Sequence, residues 1–180
     1  ILPDLEDEDA RPFWEGTARG ELRAQKRSAC GRMRVPPRPM CPECRSLASE
    51  WVKLSGRGRI WSFVVPHPPL LPAYAELAPY NVIAVELDED PSLRLVGNLV
   101  ESADGPIGAV DPRGIEIGEP VRVGFAKVED VHLPRWVRAR AWAAMLPRDK
   151  GGIASGAGPG LGQESARGPG REGPGGVRAR

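Results

Sequence analysis

The sequence of 180 residues predicts a mainly β protein. It should contain a short N-terminal helical segment, a cysteine-bearing ribbon, a small closed barrel and a disordered C-terminal tail. Three observations support this. Short runs alternate between apolar and polar residues over residues 51–137, a period typical of strands. All three cysteines lie within residues 30–44. From residue 151 onward the chain is rich in glycine and poor in large apolar residues.

The N-terminal region combines an acidic linker with a helix. Residues 1–9 carry five acids and no base, so we expect a solvated linker. Over residues 10–26 we expect a helical segment, because Asp9 is a candidate N-cap and Pro12 suits the first turn. The chain begins without a methionine, so we expect it to be a fragment of a longer polypeptide or a processed one.

The cysteines predict a metal site that lacks one ligand. Cys41 and Cys44 form a C-x-x-C turn, which places two thiolates on one knuckle of a zinc ribbon. A matching turn ends at Cys30, but Arg27 stands at its first position. Two interpretations of the module over 27–50 stay open. Three cysteines hold zinc with water, a histidine or a partner residue as the fourth ligand, or the ribbon packs without metal.

The alternating region predicts a barrel over residues 51–137. The predicted strands are 51–54, 60–65, 80–87, 93–99, 121–128 and 131–136. Short strands with glycine-marked bends suit a five-stranded barrel, for which the OB-fold is the commonest candidate. The period alone does not choose between it and an SH3-like barrel. Residues 66–79, rich in proline, are expected to form a long irregular loop.

The C-terminal region is predicted in two parts. Residues 138–150 are expected to form a helix carrying Trp142. Residues 151–180 are expected to be disordered, because their few large apolar side chains cannot offset the entropy of ordering the backbone.

Charge is balanced overall but segregated along the chain. The net charge is +1, yet residues 11–59 carry 12 bases and 4 acids, and residues 60–134 carry 4 bases and 12 acids. An acidic barrel disfavours binding to a single-stranded nucleic acid, which needs a basic groove and stacking aromatics. The alternation around Trp61, Phe63 and Phe125 predicts that these aromatic residues lie in the core.

The sequence shows no catalytic motif of its own. It contains no hydrolase elbow, P-loop, dinucleotide-binding glycine pattern or H-E-x-x-H motif. His67 and His132 stand apart from one another, and we expect both to be structural or at the surface. No apolar run is long enough to span a membrane and no secretory signal is visible, so we expect a cytoplasmic protein with no membrane partner.

Several short motifs follow one another in a specific order. They are FWEG at 13–16, GEL at 20–22, CG at 30–31, PPRPMCPEC at 36–44, GRG at 56–58, IWSF at 60–63 and GEPV at 118–121. Over about residues 11–137 the chain resembles the acyl-CoA-associated family that joins a rubredoxin-like zinc ribbon to an OB-fold. It departs from the pattern at Arg27, where the family often has its first cysteine.

The resemblance implies a function as well as a fold. It implies a non-catalytic accessory subunit of a thiolase-like aldolase of the sterol-carrier type, with acyl-CoA as the ligand. Similar domains also occur beside or fused to acyl-CoA hydratases, so a hydratase domain is expected upstream. Similar pairs cleave the side chain of a steroid acyl-CoA by a retro-aldol reaction that releases propionyl-CoA. The alternatives are a free-standing acyl-CoA-binding module and a single-stranded nucleic-acid-binding protein built from the same ribbon and OB-fold.

Two groups of side chains are candidates for binding. Arg32, Arg34 and Arg38 are candidates for the phosphates of CoA, since guanidinium matches phosphate in a bidentate manner. The alternative is that these arginines face water or pair with acidic residues of a partner. Candidates for partner contact are the apolar residues Phe13, Trp14, Leu70, Leu71 and Tyr74. For the residues in the 66–79 loop, the alternative is that the loop folds back over the mouth of the barrel.

Overall fold

A computed structural model describes residues 2–140 of the chain. The elements are α1 (Arg11–Ala18), β1 (Arg23–Arg27), β2 (Met33–Arg34), β3 (Ser49–Lys53), β4 (Arg57–Val64), α2 (Pro72–Ala75), β5 (Val82–Leu87), β6 (Asp90–Gly97), β7 (Leu99–Val100), β8 (Pro120–Val128) and β9 (Val131–Arg138). The predicted mainly β fold class is confirmed. The tail predicted over 151–180, and the helix predicted over 138–150 beyond residue 140, lie outside the described residues.

Helix α1 is shorter than the helical segment predicted over residues 10–26. It ends at Ala18, and the chain turns at Gly20, whose φ of +73° favours glycine. The chain then enters strand β1, so the helical prediction is wrong for residues 23–26. The strand is stabilised by pairing with two neighbours, an interaction between distant segments that the local sequence does not show.

The predicted cap of α1 is also wrong. Ala10, not Asp9, is the N-cap residue, and no side chain caps the helix. The carbonyl of Asp7 instead accepts the amides of Ala10 and Arg11 at 3.1 and 2.8 Å. Backbone hydrogen bonds therefore satisfy donors for which a side-chain acceptor was expected.

Strands β2, β1 and β3 form the small antiparallel sheet of the ribbon, in that order. The central strand β1 buries Ala24, Gln25 and Arg27. The Gln25 side-chain oxygen accepts a hydrogen bond from the backbone amide of Arg38 at 3.1 Å. This hydrogen bond offsets the cost of burying the polar Gln25 side chain. Strand β3 crosses the boundary expected at residue 51, because it pairs along its whole length with β1.

The remaining strands close into a five-stranded barrel. Strand β4 pairs with β5 and β8, β5 pairs with β6, and β8 pairs with β9. Strand β7 pairs in parallel with β9. Because only Asn98 separates β6 from β7, the two are one broken strand, and the sheet returns on itself. The barrel interior is filled by Ile60, Ile83, Val85, Leu93, Leu99, Val121 and Trp136, all buried.

The Asn81 side chain forms hydrogen bonds to the backbone at the break between β6 and β7. Its side chain is fully buried, its Nδ2 donates to the Leu99 carbonyl at 2.9 Å, and its Oδ1 accepts the Leu99 amide at 2.7 Å. Asn98 in turn donates to the Asn81 carbonyl at 2.6 Å. The carboxamide thus supplies both partners that Leu99 would otherwise find in a continuous ladder.

The aromatic residues of the barrel divide between two surfaces. Phe63 and Phe125 are partly buried and pack against the core. Trp61 is 49% exposed, so the prediction that it lies in the core is wrong. Ile60 is buried and a register shift follows it before Ser62, which leaves Trp61 on the outer face. There the Arg94 guanidinium lies 3.7 Å from the centre of the indole ring, a cation–π contact.

None of the helices in residues 2–140 has both the length and the apolar character needed to cross a membrane.

The role of Asn81 gives a testable prediction. Replacing Asn81 with Ala removes both partners of the buried Leu99 backbone, so we expect the free energy of unfolding to fall by about 2–4 kcal/mol. Denaturant unfolding followed by circular dichroism measures this. Lys127→Ala, on the exposed side of β8, is the control and should change stability by less than about 0.5 kcal/mol. Equal stability of Asn81→Ala and the wild type would contradict the role.

Candidate functional site

The second knuckle of the ribbon is built around Cys41. The Cys41 amide donates to the Ser46 carbonyl at 3.0 Å, and the Arg45 amide donates back to the Cys41 carbonyl at 3.0 Å. Arg45 adopts a positive φ of 58° to complete the turn. Cys41 is fully buried, whereas Cys44 is exposed. The knuckle therefore presents one internal and one accessible sulfur.

The first knuckle repeats this geometry with an arginine in place of one cysteine. The Gly31 amide donates to the Arg27 carbonyl at 2.8 Å, and Gly31 has a φ of +71°. The Arg27 side chain is only 1% exposed. Its guanidinium donates to the carbonyls of Pro39 and Leu47 at 3.0 and 3.3 Å and to that of Arg38.

The two knuckles bring the three cysteines together. The sulfurs of Cys30, Cys41 and Cys44 all lie within 4.8 Å of one another, and the Cys30 and Cys41 sulfurs are 3.9 Å apart. Zinc–sulfur bonds of about 2.3 Å in a tetrahedron separate two sulfurs by about 3.8 Å. The cluster is therefore compatible with a zinc ion held by these three thiolates, which would crosslink the knuckles.

Backbone hydrogen bonds prepare Cys41 to act as a thiolate. The amides of Cys44 and Glu43 donate to its sulfur and lower the pKa of Cys41 to about 7. The amide of Ser46 acts on Cys44 in the same direction, but desolvation and the neighbouring Cys30 and Cys41 outweigh it and raise the pKa of Cys44. At neutral pH the cluster thus contains one readily ionised thiol, a soft ligand suited to zinc.

The three arginines proposed for CoA phosphates differ in their surroundings. Arg32 pairs with Glu43 at 2.6 Å. Arg34 donates to the Met40 carbonyl at 3.3 Å. Arg38 is exposed, and its backbone rather than its guanidinium is held, through the Gln25 side chain. Arg34 and Arg38 therefore retain more capacity for an incoming anion than Arg32, whose charge Glu43 already balances.

An apolar groove lies next to the ribbon. Its volume is about 740 Å³, and it runs between α1, α2, β6, β9 and the prolines that precede the second knuckle. The apolar lining includes Trp14, Val35, Tyr74, Leu77, Val96 and Leu133. Polar groups are few and include Arg94, Asn98 and Arg135. A groove of this size and character is typical of sites for apolar ligands or side chains.

Three of the five residues proposed for partner contact line this groove. Phe13, Trp14 and Tyr74 line it, whereas Leu70 and Leu71 do not. Phe13 is 6% exposed and belongs to the core, so it supports Trp14 through an edge-to-face contact with 4.9 Å between ring centres. Leu71 is 63% exposed. The sequence did not indicate Val96 or Leu77, because single apolar residues carry no signal of surface exposure.

The two histidines lie outside the thiol cluster. His67 is exposed. His132 has a buried Nδ1 without a hydrogen-bond partner in the described part of the chain. Its position in β9 sets it apart from the three sulfurs.

Comparison with protein families matches both modules. The family described as "ChsH2, rubredoxin-like zinc ribbon domain" matches residues 14–50, and "ChsH2, C-terminal OB-fold domain" matches residues 51–126. The two matches adjoin and together cover the ribbon and most of the barrel. The chain belongs to the ChsH2 ribbon and OB-fold family. The resemblance predicted from the short motifs is thereby confirmed, and the barrel is an OB-fold.

Relatives of the ChsH2 family include both long and short proteins. The chain is 36% identical over 145 residues to the "3-oxo-4,17-pregnadiene-20-carboxyl-CoA hydratase alpha subunit" of Mycobacterium tuberculosis, and it spans 42% of that protein's length. It is 37% identical over 113 residues to a "DUF35 domain-containing scaffold protein" of Methanothermobacter thermautotrophicus. These regions are 62% of this chain and 77% of the scaffold protein.

One solved structure aligns over nearly all of its own length with about three quarters of this chain. A chain of the "Ltp2-ChsH2(DUF35) aldolase" aligns with a TM-score of 0.63 and 33% identity. The alignment covers 76% of this chain and 99% of that one. This chain therefore shares its overall fold with a chain of that aldolase.

The thiol cluster gives a second testable prediction. We expect the chain to bind one zinc ion, and Cys41→Ser to weaken binding by at least about 100-fold, since even an outer-shell partner is worth 10–100-fold. Competition with a chromophoric chelator measures the dissociation constant. Ser28→Ala, an exposed change in the first knuckle, is the control and should leave it unchanged. Undiminished zinc affinity in Cys41→Ser would show that the cluster is not the site.

Proposed function

We propose that this chain is a non-catalytic accessory subunit of a thiolase-like acyl-CoA aldolase complex. In this proposal the complex cleaves the side chain of a steroid acyl-CoA by a retro-aldol reaction and releases propionyl-CoA. The observation that carries the proposal is the match to 99% of a chain of the Ltp2-ChsH2(DUF35) aldolase at 33% identity. The relatives named as a hydratase alpha subunit and as a scaffold protein support the same setting.

The interior of the protein supports a role without catalysis. The buried polar side chains of residues 2–140 are Thr17, Gln25, Arg27 and Asn81. None of these is a carboxylate, histidine or lysine that would exchange a proton near neutral pH. The buried thiol of Cys41, whose pKa is lowered to about 7, belongs to the three-cysteine cluster and does not line the apolar groove. In this proposal the thiolase-like partner supplies the acid–base groups, and this chain supplies surface and shape.

The outer face of β4–β6 is the proposed contact with the aldolase subunit. Trp61, Val64 and Val96 are exposed there at 49%, 59% and 62%. Val96 also lines the groove that contains Trp14 and Tyr74, so the exposed face and the groove are continuous. Exposed apolar surface of this kind is typical of protein interfaces, and the Trp61–Arg94 pair has the composition of an interface hot spot.

The ribbon side of the groove is the proposed position of acyl-CoA. Pro36 and Pro37 line the groove, and Arg38 follows them directly in the chain. An acyl group in the apolar groove would therefore extend its CoA phosphates toward Arg34 and Arg38. Guanidinium groups bind phosphate through paired hydrogen bonds, so the basic ribbon complements the anionic end of the ligand.

A free-standing acyl-CoA-binding module is the second candidate. The groove volume of about 740 Å³ favours it, because small-molecule sites typically measure about 300–1,000 Å³. Calorimetry with a CoA thioester, with and without the thiolase-like subunit, separates the two candidates. Affinity that needs the partner supports an accessory subunit, and equal affinity without it supports a free module.

The acidic barrel gives no support to nucleic-acid binding. Residues 60–134 carry 12 acids against 4 bases, and the exposed Trp61 is already stacked by Arg94.

The docking proposal predicts a specific loss of assembly. We expect the chain to co-purify with a thiolase-like subunit, and acyl-CoA cleavage to occur only in the mixture. Val96→Asp places a charge on the docking face and should weaken the complex by at least about 10-fold, since burying an unpaired charge is costly. Ile117→Asp is the matched control, because Ile117 is 69% exposed but lies outside the groove lining.

Two results would contradict this proposal. Cleavage of a β-hydroxyacyl-CoA by this chain alone would contradict the non-catalytic role. Equal weakening of the complex by Val96→Asp and Ile117→Asp would place the contact elsewhere. Release of propionyl-CoA measures cleavage, and a pull-down with the thiolase-like subunit measures the strength of the complex.

The proposed phosphate contact predicts a loss of affinity without a loss of assembly. Replacing both Arg34 and Arg38 with Ala should weaken CoA thioester binding to the complex by about 10- to 100-fold, because two charge-assisted contacts are lost. Arg113→Ala is the control, since Arg113 is 91% exposed and pairs with Asp111. Calorimetry measures both, and unchanged affinity in the double variant would contradict the contact.

A further inference from the structure

Arg27 lies where the ribbon geometry places a metal ligand. The amide that closes each knuckle donates to the carbonyl four residues earlier, from Gly31 to Arg27 at 2.8 Å and from Arg45 to Cys41 at 3.0 Å. The two closing residues share a positive φ, 71° and 58°. Arg27 and Cys41 are 1% and 0% exposed. Arg27 is therefore the structural counterpart of the buried cysteine of the second knuckle.

The guanidinium of Arg27 joins the two knuckles. It donates to the carbonyls of Arg38 and Pro39, which precede the second knuckle, and to that of Leu47, which follows it. One planar fork thus holds both flanks of the second knuckle from a position on the first. A bound metal would join the same two turns through sulfur atoms, so the hydrogen bonds and the ion would perform the same mechanical task.

The burial of the Arg27 guanidinium indicates that this side chain has a structural role and does not merely occupy the position of an absent cysteine. An arginine is long enough to reach solvent from most surface positions, yet this one is as buried as the core residues of the barrel. Hydrogen bonds from a charged donor are roughly twice as strong as neutral ones. Three carbonyls from one segment can therefore hold the guanidinium in place, and Nε is the part of it that remains unpartnered.

We propose that Arg27 is an internal crosslink that takes over the structural role of a bound metal. The ribbon then keeps its fold without zinc. Cys30, Cys41 and Cys44 form a three-thiolate site whose occupancy the fold does not require. Any metal bound there would keep one coordination position for a ligand from outside the cluster, unlike the closed four-ligand site of a structural zinc.

Metal removal from the full chain tests the proposal directly. The protein is treated with a chelator under reducing conditions, and metal content is verified by mass spectrometry. Amide hydrogen exchange is then measured on the paired strands β1 and β3. We expect their protection to change by less than about 2-fold. Loss of protection in the metal-free wild-type protein would overturn the proposal.

Variants at Arg27 separate the crosslink from the cysteines. Arg27→Met removes the donors without adding a ligand and should lower the melting temperature by about 10 °C or more in the presence or absence of zinc. Arg38→Met removes an exposed guanidinium from the same module and should leave the melting temperature unchanged. Equal melting temperatures of Arg27→Met and the wild type would overturn the proposal.

Arg27→Cys supplies an independent spectroscopic readout if Arg27→Met fails to fold. This variant restores two complete C-x-x-C turns, so its cobalt-loaded form should show the absorption of a tetrathiolate site, and its ribbon should lose exchange protection when metal is removed. The cobalt-loaded wild type should show the spectrum of a three-thiolate site. A wild-type ribbon that depends on metal as strongly as that of Arg27→Cys would overturn the proposal.

Discussion

One carboxamide, that of Asn81, continues the hydrogen bonding of the barrel sheet across the break between β6 and β7. The strand that completes the circle is interrupted at Asn98, and Asn81 supplies a donor and an acceptor to the Leu99 backbone beyond the gap. Strand β7 is also held by its pairing with β9 and by the burial of Leu99 and Val100. The outer face of β4–β6 and one wall of the groove belong to the same sheet, so the candidate site inherits its shape from this closure.

The ribbon and the barrel solve one physical problem in different ways. Each contains a short segment whose backbone groups are not all paired within a helix or sheet. In the barrel, the Asn81 carboxamide pairs with the Leu99 backbone. In the ribbon, the buried Arg27 guanidinium donates to three backbone carbonyls. Both devices use a single side chain to satisfy several backbone groups at once, which is how small modules with little hydrophobic core maintain a defined path.

The sequence predicted the barrel strands well where burial alternates along the strand, as it does through β5 and the first half of β4. It did not predict β1, whose sequence is polar and whose buried residues include Gln25 and Arg27. A charged residue is expected at the surface, so only the three-dimensional partners explain this burial. The sequence placed Trp61 in the core together with Phe63. The register shift between Ile60 and Ser62 puts these two aromatic side chains on opposite faces of the sheet, and a local sequence pattern does not show such a shift. The groove was invisible in the sequence because its walls come from distant segments.

The connection between the two modules is short and fully anchored. The Leu54 amide donates to the Leu22 carbonyl at 2.8 Å, the Ser55 amide donates to the Glu89 carboxylate, and the Gly56 carbonyl accepts the Val123 amide at 2.8 Å. Three successive residues of this connection, Leu54, Ser55 and Gly56, thus form hydrogen bonds to the ribbon or the barrel. These hydrogen bonds link the ribbon directly to the barrel within residues 2–140, so a partner that binds the barrel also meets the cysteine cluster in a defined position relative to it.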